Sequence, residues 1–289
     1  MPVTVSESKV SVELANGSAV EILVFGANVI SWRSPNVDGH GVKERFFLSK
    51  KSALDGSKAV RGGIPIVFPF FGSPNREEHK VFPSHGFGRT EKWKYDGIVS
   101  ETKSSTSVKF VLEPSAHIKV KFPFQFILQY IVTISLHELS TTLRVTNPAS
   151  STSTLTHQAL LHNYIAAHPS SSITIAPLTD LTYTDKVKGG VEVVEQRALV
   201  DVKESTDSVY KGAPGEYHVR WTGGGVDIKT TGFPDVVVWN PQKEIGSKMA
   251  DMEDGGWERY VCVEPGFVSA WNTLAPGETW VGTQIFRPL

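Results

Sequence analysis

Apolar and polar residues alternate with a period of two along much of this chain, which limits what it can fold into. The apolar residues Val10, Val12 and Leu14 alternate with polar ones, Asn16-Gly17 follows, and apolar residues resume over 19–24. Because successive side chains on a strand point to opposite faces, this pattern predicts half-buried β-strands. Asn-Gly accepts the positive φ angles of a type I′ turn, so the stretch predicts a β-hairpin.

The same alternation recurs towards the C-terminus. It predicts strands over 128–136, 143–145, 173–175, 226–228 and 281–285, and a strand buried on both faces over 236–239. No long stretch has a helical period, and short helices are predicted only around 51–53 and 244–252. The prediction is an all-β chain, one domain over residues 1–289, built as a large sandwich of antiparallel sheets. A barrel would fit the pattern as well.

Composition narrows the partners and the compartment. The net charge is −1, with 29 Lys+Arg against 30 Asp+Glu and no basic block, so no nucleic-acid partner is expected. Cys262 is the single cysteine, which excludes an intrachain disulfide, and the N-terminal sequence lacks the apolar run of a signal peptide. The longest apolar stretch, at 64–72, is too short to cross a bilayer. We therefore expect a cytoplasmic protein with no membrane partner.

Two arginines lie beside glycines within one loop-rich stretch. Arg61 begins the sequence RGGIP, and Arg89 ends VFPSHGFGR. A guanidinium group holds an anion through a planar fork of donors, so the two together indicate a shared anion site. His85 lies in the same loop as Arg89. A lone histidine is more often structural than catalytic, but the loop setting favours a role in binding.

Three further side chains could carry chemistry. His162 lies in HQALLHNYI, which reads as a strand; its odd spacing from His157 places the two on opposite faces, so we predict no metal site. Glu264 ends an apolar strand just before Pro-Gly, where burial would raise its pKa and a nearby cation would lower it. A strand-end salt bridge would explain Glu264 equally well. Asp207, taken alone, reads as part of a polar turn.

Common catalytic motifs are missing from the sequence. There is no G-x-S-x-G elbow, no Walker loop and no G-x-G-x-x-G, which argues against acyl transfer, nucleotide hydrolysis and nicotinamide chemistry. What remains is a histidine and a glutamate able to pass protons, with arginines able to hold an anion.

In their order along the chain, these motifs resemble the aldose 1-epimerase superfamily, and more closely its hexose-6-phosphate mutarotase branch. The resemblance covers nearly the whole chain. It implies an all-β, galactose-mutarotase-like supersandwich of antiparallel sheets with a few short helices and an open sugar-binding cleft. The motifs are KAVRGGIPIVFPFFG (58–72), HGFGRTEKW (85–93), LLHNYI (160–165), TDSVY (206–210), VVVWNP (236–241), CVEPG (262–266) and LAPGETW (274–280).

The resemblance also implies roles for single residues. His162 and Glu264 match the family's catalytic pair. The implied phosphate and sugar contacts are Arg61, Ser84, Arg89 and Asp207, with His85 as a further hydrogen-bonding partner of the sugar. Family members commonly carry Gln before the H-G-x-x-R histidine, and the shorter Ser84 could reach a sugar only from close by or through a water.

Two other departures lie beside His162. Asn163 stands where Thr is common, and Ile165 stands where an aromatic residue is common. Both changes are expected to tune the pocket without removing a proton-transfer group.

The implied reaction interconverts the α and β anomers of hexose 6-phosphates. Ionised Glu264 would take the proton of the C1 hydroxyl while protonated His162 gives one to the ring oxygen, and the same pair would close the ring from either face. No cofactor is expected, because no net oxidation or group transfer occurs. The expected partner is the hexose 6-phosphate alone, with the protein a monomer.

Three other functions were compared with this one. An aldose 1-epimerase acting on unphosphorylated hexoses is disfavoured by the two arginines. A non-catalytic carbohydrate-binding or sensor protein could keep the same sandwich, since a fold does not determine a function, but the retention of both His162 and Glu264 disfavours it. A glycoside hydrolase or lyase fits less well, because hydrolases typically place two carboxylates across the scissile bond.

Overall fold

The computed structural model describes residues 3–36 and 41–289, so residues 1, 2 and 37–40 of the predicted domain lie outside the described residues. The described residues form 21 β-strands and two short α-helices, and the all-β prediction is confirmed. The strands are β1 (Val3–Val5), β2 (Lys9–Glu13), β3 (Ala19–Leu23), β4 (Val29–Pro35), β5 (Val42–Glu44), β6 (Ile66–Val67), β7 (Lys94–Glu101), β8 (Ser105–Leu112), β9 (Ile127–Ser135), β10 (Leu139–Thr146), β11 (Leu155–Leu161), β12 (Tyr164–Ala166), β13 (Thr174–Ala176), β14 (Thr182–Asp185), β15 (Val191–Val194), β16 (Thr206–Lys211), β17 (Glu216–Trp221), β18 (Gly224–Thr231), β19 (Asp235–Asn240), β20 (Tyr260–Leu274) and β21 (Thr279–Pro288). The helices are α1 (Ala116–Lys121) and α2 (Gln242–Gly246), and short 3₁₀ turns cover Glu77–His79, Gly88–Thr90, Ser170–Ser172 and Gly256–Arg259.

The strands form three sheets whose neighbouring strands pair antiparallel. A five-stranded sheet has the order β1-β2-β3-β4-β5. One large sheet has the order β13-β17-β18-β21-β10-β9-β8-β7. The other has the order β15-β14-β16-β19-β20-β11-β6, with β12 paired to β20. This arrangement of stacked antiparallel sheets is the predicted sandwich rather than a barrel.

The alternation seen in the sequence creates the core between the sheets. In β9 every second residue is buried, and Leu128, Tyr130, Val132 and Ile134 all belong to the main apolar cluster. Burying one such side chain stabilises the folded state by roughly 1.5–3 kcal/mol. Strand β19 is buried on both faces, as predicted, because it lies in the middle of its sheet.

The first predicted hairpin is present, but its turn differs from the prediction. Strands β2 and β3 pair as expected. Within the described residues 14–18, Gly17 alone has a positive φ, of 86°, and its N–H donates to the carbonyl of Leu14. A type I′ turn needs positive φ at both central residues, so that prediction is wrong. Asn16 instead uses its side chain, which donates to the carbonyl of Leu136.

The two predicted helices fare differently. Residues 51–53 form no helix, since a turn ends at Lys51 and no regular structure follows it, and that prediction is wrong. The hydroxyl of Ser49 accepts from the Lys51 N–H and the hydroxyl of Ser52 accepts from the Arg61 N–H, so side chains supply the hydrogen bonds that a helix would need from its backbone. The helix expected over 244–252 is α2, which begins two residues earlier and ends at Gly246.

The glycine pair beside Arg61 serves the packing of two segments of backbone. Gly63 has a φ of 68°, and a Cβ placed there would lie 2.1 Å from the carbonyl oxygen of Val29. Only glycine permits this approach, because any side chain would overlap the neighbouring backbone. The loop that carries Arg61 is therefore held against β4.

We expect Gly63→Ala to destabilise the protein by more than about 4 kcal/mol, because strain and backbone overlap add. Gly212 is a matched control: its φ is 64°, and no atom lies within 4 Å of its ideal Cβ position. Gly212→Ala should cost only about 1–2 kcal/mol, the usual cost of a left-handed backbone. Denaturant unfolding measures both, and equal losses would contradict the account of Gly63.

Candidate active site

A cavity of about 280 Å³ lies on one face of the sheet that contains β16, β19 and β20. All seven residues that the sequence singled out lie in its wall. The lining residues are Arg61, Phe71, Ser84, His85, Arg89, His162, Lys186, Asp207, Val237, Trp239 and Glu264. The fold therefore brings together residues that are as much as 203 positions apart, from Arg61 to Glu264.

Three neighbouring strands form the floor of the cavity. Asp207 on β16 lies opposite Trp239 on β19, and Trp239 lies opposite Cys262 on β20. Glu264 is two residues further along β20 and so shares a face with Cys262. The prediction that Glu264 ends its strand is wrong, because β20 continues past Pro265 to Leu274. A carboxylate in mid-strand is fixed more firmly than one at a strand end.

His162 lies where the predicted strand is interrupted. Strand β11 ends one residue before it, and β12 begins at Tyr164. The backbone N–H of His162 donates to the carbonyl of Pro65. The imidazole stacks on the Tyr164 ring, with centroids 4.7 Å apart and planes 7° apart, and Trp239 meets it edge-on at 5.7 Å. His157 packs against Phe68 and does not line the cavity; the odd-spacing argument does not account for this, because the strand has a bulge after His157 and ends before His162.

His162 and Glu264 meet in the wall of the cavity. Nδ1 of His162 is 3.3 Å from Oε1 of Glu264, and the side chains are 8% and 2% exposed. The two atoms lack hydrogen-bond geometry, and within the described structure neither His162 Nδ1 nor Glu264 Oε2 has a hydrogen-bond partner. The two side chains are therefore held close together, and each keeps one atom without a hydrogen-bond partner among the described residues.

Burial decides where the proton of this pair resides in the unliganded protein. Desolvation, reinforced by Asp207, raises the pKa of Glu264 well above its ordinary value. Desolvation, reinforced by His85, Arg89 and Arg61, lowers the pKa of His162 well below its ordinary value. Both shifts favour the neutral forms of the pair, a carboxylic acid beside a neutral imidazole. From the sequence we expected an ionised Glu264 and a protonated His162. The neutral pair differs from that expectation in the position of one proton.

Cys262 is the third polar group at this point. Its sulfur, a nitrogen of His162 and an oxygen of Glu264 lie within 4.8 Å of one another. Burial, followed by the charge of Glu264, raises the pKa of the Cys262 thiol well above its ordinary value, which keeps the sulfur protonated and a poor metal ligand. The predicted absence of a metal stays a prediction.

His85 is suited to donate a hydrogen bond rather than to transfer a proton. The Gly72 N–H donates to Nδ1 of His85, so the proton of the neutral ring resides on Nε2. Burial, followed by the charges of Arg89, Lys186 and Arg61, lowers the pKa of His85 to about 3. At neutral pH the ring therefore carries one N–H that can point to a ligand oxygen.

The two arginines are held by partners within the protein. Nη1 of Arg61 donates to the Tyr164 hydroxyl at 2.9 Å, and its Nε and Nη2 lie 3.2 and 3.1 Å from Asp251. Nη2 of Arg89 donates to the Ser84 carbonyl, and its buried Nε has no partner among the described residues. Each guanidinium is thus oriented while donors remain for a ligand.

Lys186 is a third cation in the cavity, and the sequence did not reveal it. Its Nζ lies 3.4 Å from Oδ2 of Asp207 and 4.6 Å from the centre of the Phe71 ring. Its segment, TDKVKGG, resembles any exposed turn. Its place in the cavity depends on strand pairing that the sequence does not show: Lys186 directly follows β14, and β14 pairs with the strand that carries Asp207.

Ser84 supports the loop through both its side chain and its backbone. The hydroxyl donates to the Gly72 carbonyl at 2.9 Å, while its own carbonyl orients Arg89. The departure from Gln at this position therefore removes a long polar side chain from the rim, and the role of Ser84 as a sugar contact stays a prediction.

That Asn163 and Ile165 tune the pocket stays a prediction, and any such effect would be indirect. Both are buried, and neither lies among the described residues that line the cavity. The amide of Asn163 exchanges two hydrogen bonds with the amide of Gln284 on β21, at 2.7 and 2.9 Å, and also donates to the Val263 carbonyl. It thus ties the segment next to His162 to the opposite sheet.

Comparison with known proteins agrees with this geometry. The family profile described as "Aldose 1-epimerase" matches residues 8–287. A "Putative glucose-6-phosphate 1-epimerase" of Cenchrus ciliaris is 29% identical over 287 residues, which cover 95% of this chain and 82% of that protein. A protein of the same description from Escherichia coli is 26% identical over 247 residues, covering 84% and 78% of the two chains.

Solved structures show the same fold. A crystal structure described as a mutarotase of Salmonella typhimurium, qualified there as "putative", has a TM-score of 0.87 at 22% identity and covers 99% of this chain and 92% of its own. A galactose mutarotase-like protein of Clostridium acetobutylicum has a TM-score of 0.72 at 15% identity, covering 99% and 97%. The predicted galactose-mutarotase-like fold is confirmed.

None of the helices in residues 3–36 and 41–289 is long and apolar enough to cross a membrane.

We expect Glu264→Gln to stabilise the folded protein at neutral pH. Above the ordinary value of 4.5, the unfolded chain loses a proton that buried Glu264 keeps, so the wild-type free energy of unfolding falls as pH rises. Glutamine does not titrate and escapes this loss, which is about 1.4 kcal/mol for every pH unit between the two pKa values.

Thermal unfolding between pH 4.5 and 8 measures this effect. The melting temperature of the variant should exceed that of the wild type by an amount that grows with pH. Glu101→Gln, an exposed carboxylate on β7, controls for the loss of one negative charge. A difference that does not change with pH would contradict the buried, protonated Glu264.

Proposed function

The chain belongs to the aldose 1-epimerase family, and we propose that it interconverts the α and β anomers of hexose 6-phosphates. One observation carries the proposal: a buried acid–base pair, His162 and Glu264, and three cations, Arg61, Arg89 and Lys186, share one small cavity. Anomer exchange of a free sugar needs only the pair. The cations supply a site for a phosphate dianion at the far end of the sugar.

The pair can open the ring with its protons in balance. The Glu264 carboxylic acid passes its proton across the 3.3 Å gap to Nδ1 of His162. The imidazolium so formed gives the proton of its other nitrogen to the ring oxygen, and the Glu264 carboxylate takes the proton of the C1 hydroxyl. The C1–O5 bond breaks; Glu264 again carries a proton, and the proton of the neutral imidazole now lies on Nδ1 until ring closure returns it to the other nitrogen. Each positioned acid or base contributes about 10²–10⁴-fold to the rate.

Closing the ring reverses these steps. The open-chain aldehyde turns about C1–C2, and the C5 hydroxyl adds to either face of the carbonyl. His85 can donate its Nε2–H to an oxygen on which negative charge develops. No cofactor takes part, because the product is an isomer of the substrate.

Three positive charges would bind the 6-phosphate and hold the ring in register with the pair. Arg61, Arg89 and Lys186 are oriented by Asp251, Ser84 and Asp207 respectively, so little side-chain freedom is lost when the anion binds. The names given to the Cenchrus ciliaris and Escherichia coli relatives agree with a phosphorylated substrate. The monomeric state and the cytoplasmic location stay predictions.

The catalytic roles predict that Glu264→Gln and His162→Asn each slow anomer exchange of glucose 6-phosphate by at least about 10²-fold. Magnetisation-exchange NMR between the two anomers measures the rate. His157→Asn is the matched control, because His157 is buried five residues away but lies outside the cavity. It should stay within a few-fold of the wild type. Near-normal exchange by either first variant would remove the role assigned to that residue.

The cation cluster predicts selectivity for phosphorylated sugars. Arg89→Ala and Lys186→Ala should each raise the KM for glucose 6-phosphate about 10–100-fold, since a hydrogen bond to a charged group contributes about 1.5–3 kcal/mol. Exchange of free glucose should not fall in either variant, because free glucose presents no phosphate to these cations. Lys188→Ala is the control, because Lys188 is exposed, pairs with Asp185 and does not line the cavity. Equal losses on both sugars would favour the alternative, an epimerase of unphosphorylated hexoses.

A further inference from the structure

Tyr164 connects the cation cluster to the proton-transfer pair. Its hydroxyl accepts a hydrogen bond from Nη1 of Arg61, and its ring lies parallel to the His162 imidazole at 4.7 Å. Phe47 and Tyr260 pack on the same tyrosine, at 6.5 and 5.2 Å between ring centroids. The Tyr164 ring is therefore fixed by aromatic packing, and its hydroxyl is held by the guanidinium of Arg61.

The charges of the cation cluster also act on the proton affinities of His162 and Glu264. Arg89 and Arg61 are among the groups that lower the pKa of His162, after burial and His85. Arg89 and Lys186 act on Glu264 in the sense that favours its carboxylate. A bound dianion would offset these cations, which raises the proton affinity of His162 and makes Glu264 a stronger base. The proton affinities of both groups, and with them the strength of Glu264 as a base towards the C1 hydroxyl, therefore depend on what occupies the cation cluster.

We propose that a tetrahedral oxyanion bound by Arg61, Arg89 and Lys186 activates the His162–Glu264 pair through Tyr164, so that the 6-phosphate is an activator as well as an anchor. The inference rests on the proposed function. It adds that the activating anion need not be attached to the sugar. A free dianion in the cluster should accelerate anomer exchange of a sugar that has no phosphate of its own.

Inorganic phosphite and D-xylose test this directly. Xylose forms a pyranose without the C6 arm, which leaves the cation cluster open for a free anion. Saturating phosphite should raise kcat/KM for xylose exchange about 5–150-fold, the usual range of coupling between two sites. The same phosphite should inhibit exchange of glucose 6-phosphate, because it competes for the cluster. Chloride at equal ionic strength controls for screening of charge.

Variants separate transmission from binding. Tyr164→Phe keeps the stacked ring but loses the hydroxyl that Arg61 holds, so phosphite should still inhibit glucose 6-phosphate exchange while its activation of xylose exchange falls below about threefold. Arg89→Ala should weaken both effects together. Tyr95→Phe on β7, which packs on Phe110 outside the cavity, should retain both effects.

The outcomes distinguish this inference from the proposed function. Exchange of glucose 6-phosphate with no response of xylose to phosphite would overturn the inference and leave the function standing. Failure to exchange glucose 6-phosphate at all would overturn the function. Undiminished activation in Tyr164→Phe would remove Tyr164 as the connecting residue.

Discussion

The close approach of His162 and Glu264 inside the protein is the constraint on which the rest of the site depends. Leaving a buried polar group without a partner costs about 1–3 kcal/mol, and both side chains here have such an atom. A flexible loop would relieve this cost by turning the groups towards water. Here a central strand fixes one and two aromatic rings fix the other, so the rigidity of the sandwich maintains an arrangement that the pair alone would not adopt.

The three cations in the cavity wall are also held in place by other groups of the protein. Each is oriented by an acceptor that already belongs to the protein: a carboxylate for Arg61 and Lys186, and a backbone carbonyl for Arg89. Orientation in advance lowers the entropy that an incoming ligand must remove. It also spreads positive charge over one side of the cavity, which adds to the effect of burial in lowering the pKa of His85.

Much of this could be predicted from the sequence, and what could not has identifiable physical reasons. Alternation located β9, β18 and β19 because burial on one or both faces leaves a direct trace in residue order. The resemblance of the motifs to a known family identified seven residues that line one cavity. Lys186 and Tyr164 escaped because their roles come from neighbours distant in sequence. The failures at 51–53 and at Asn16-Gly17 share one cause: side-chain hydrogen bonds decided the local backbone conformation.

The reciprocal amide pair between Asn163 and Gln284 gives the two sheets a shared point of attachment beside His162. An amide that loses its counterpart in a dry interior cannot turn to solvent, so these two positions should vary in concert during evolution. A lineage that shortened one side chain would have to rebuild the other, or admit an internal water. Divergence of the last strand can thereby shift the segment next to His162, although Gln284 is not among the described residues that line the cavity.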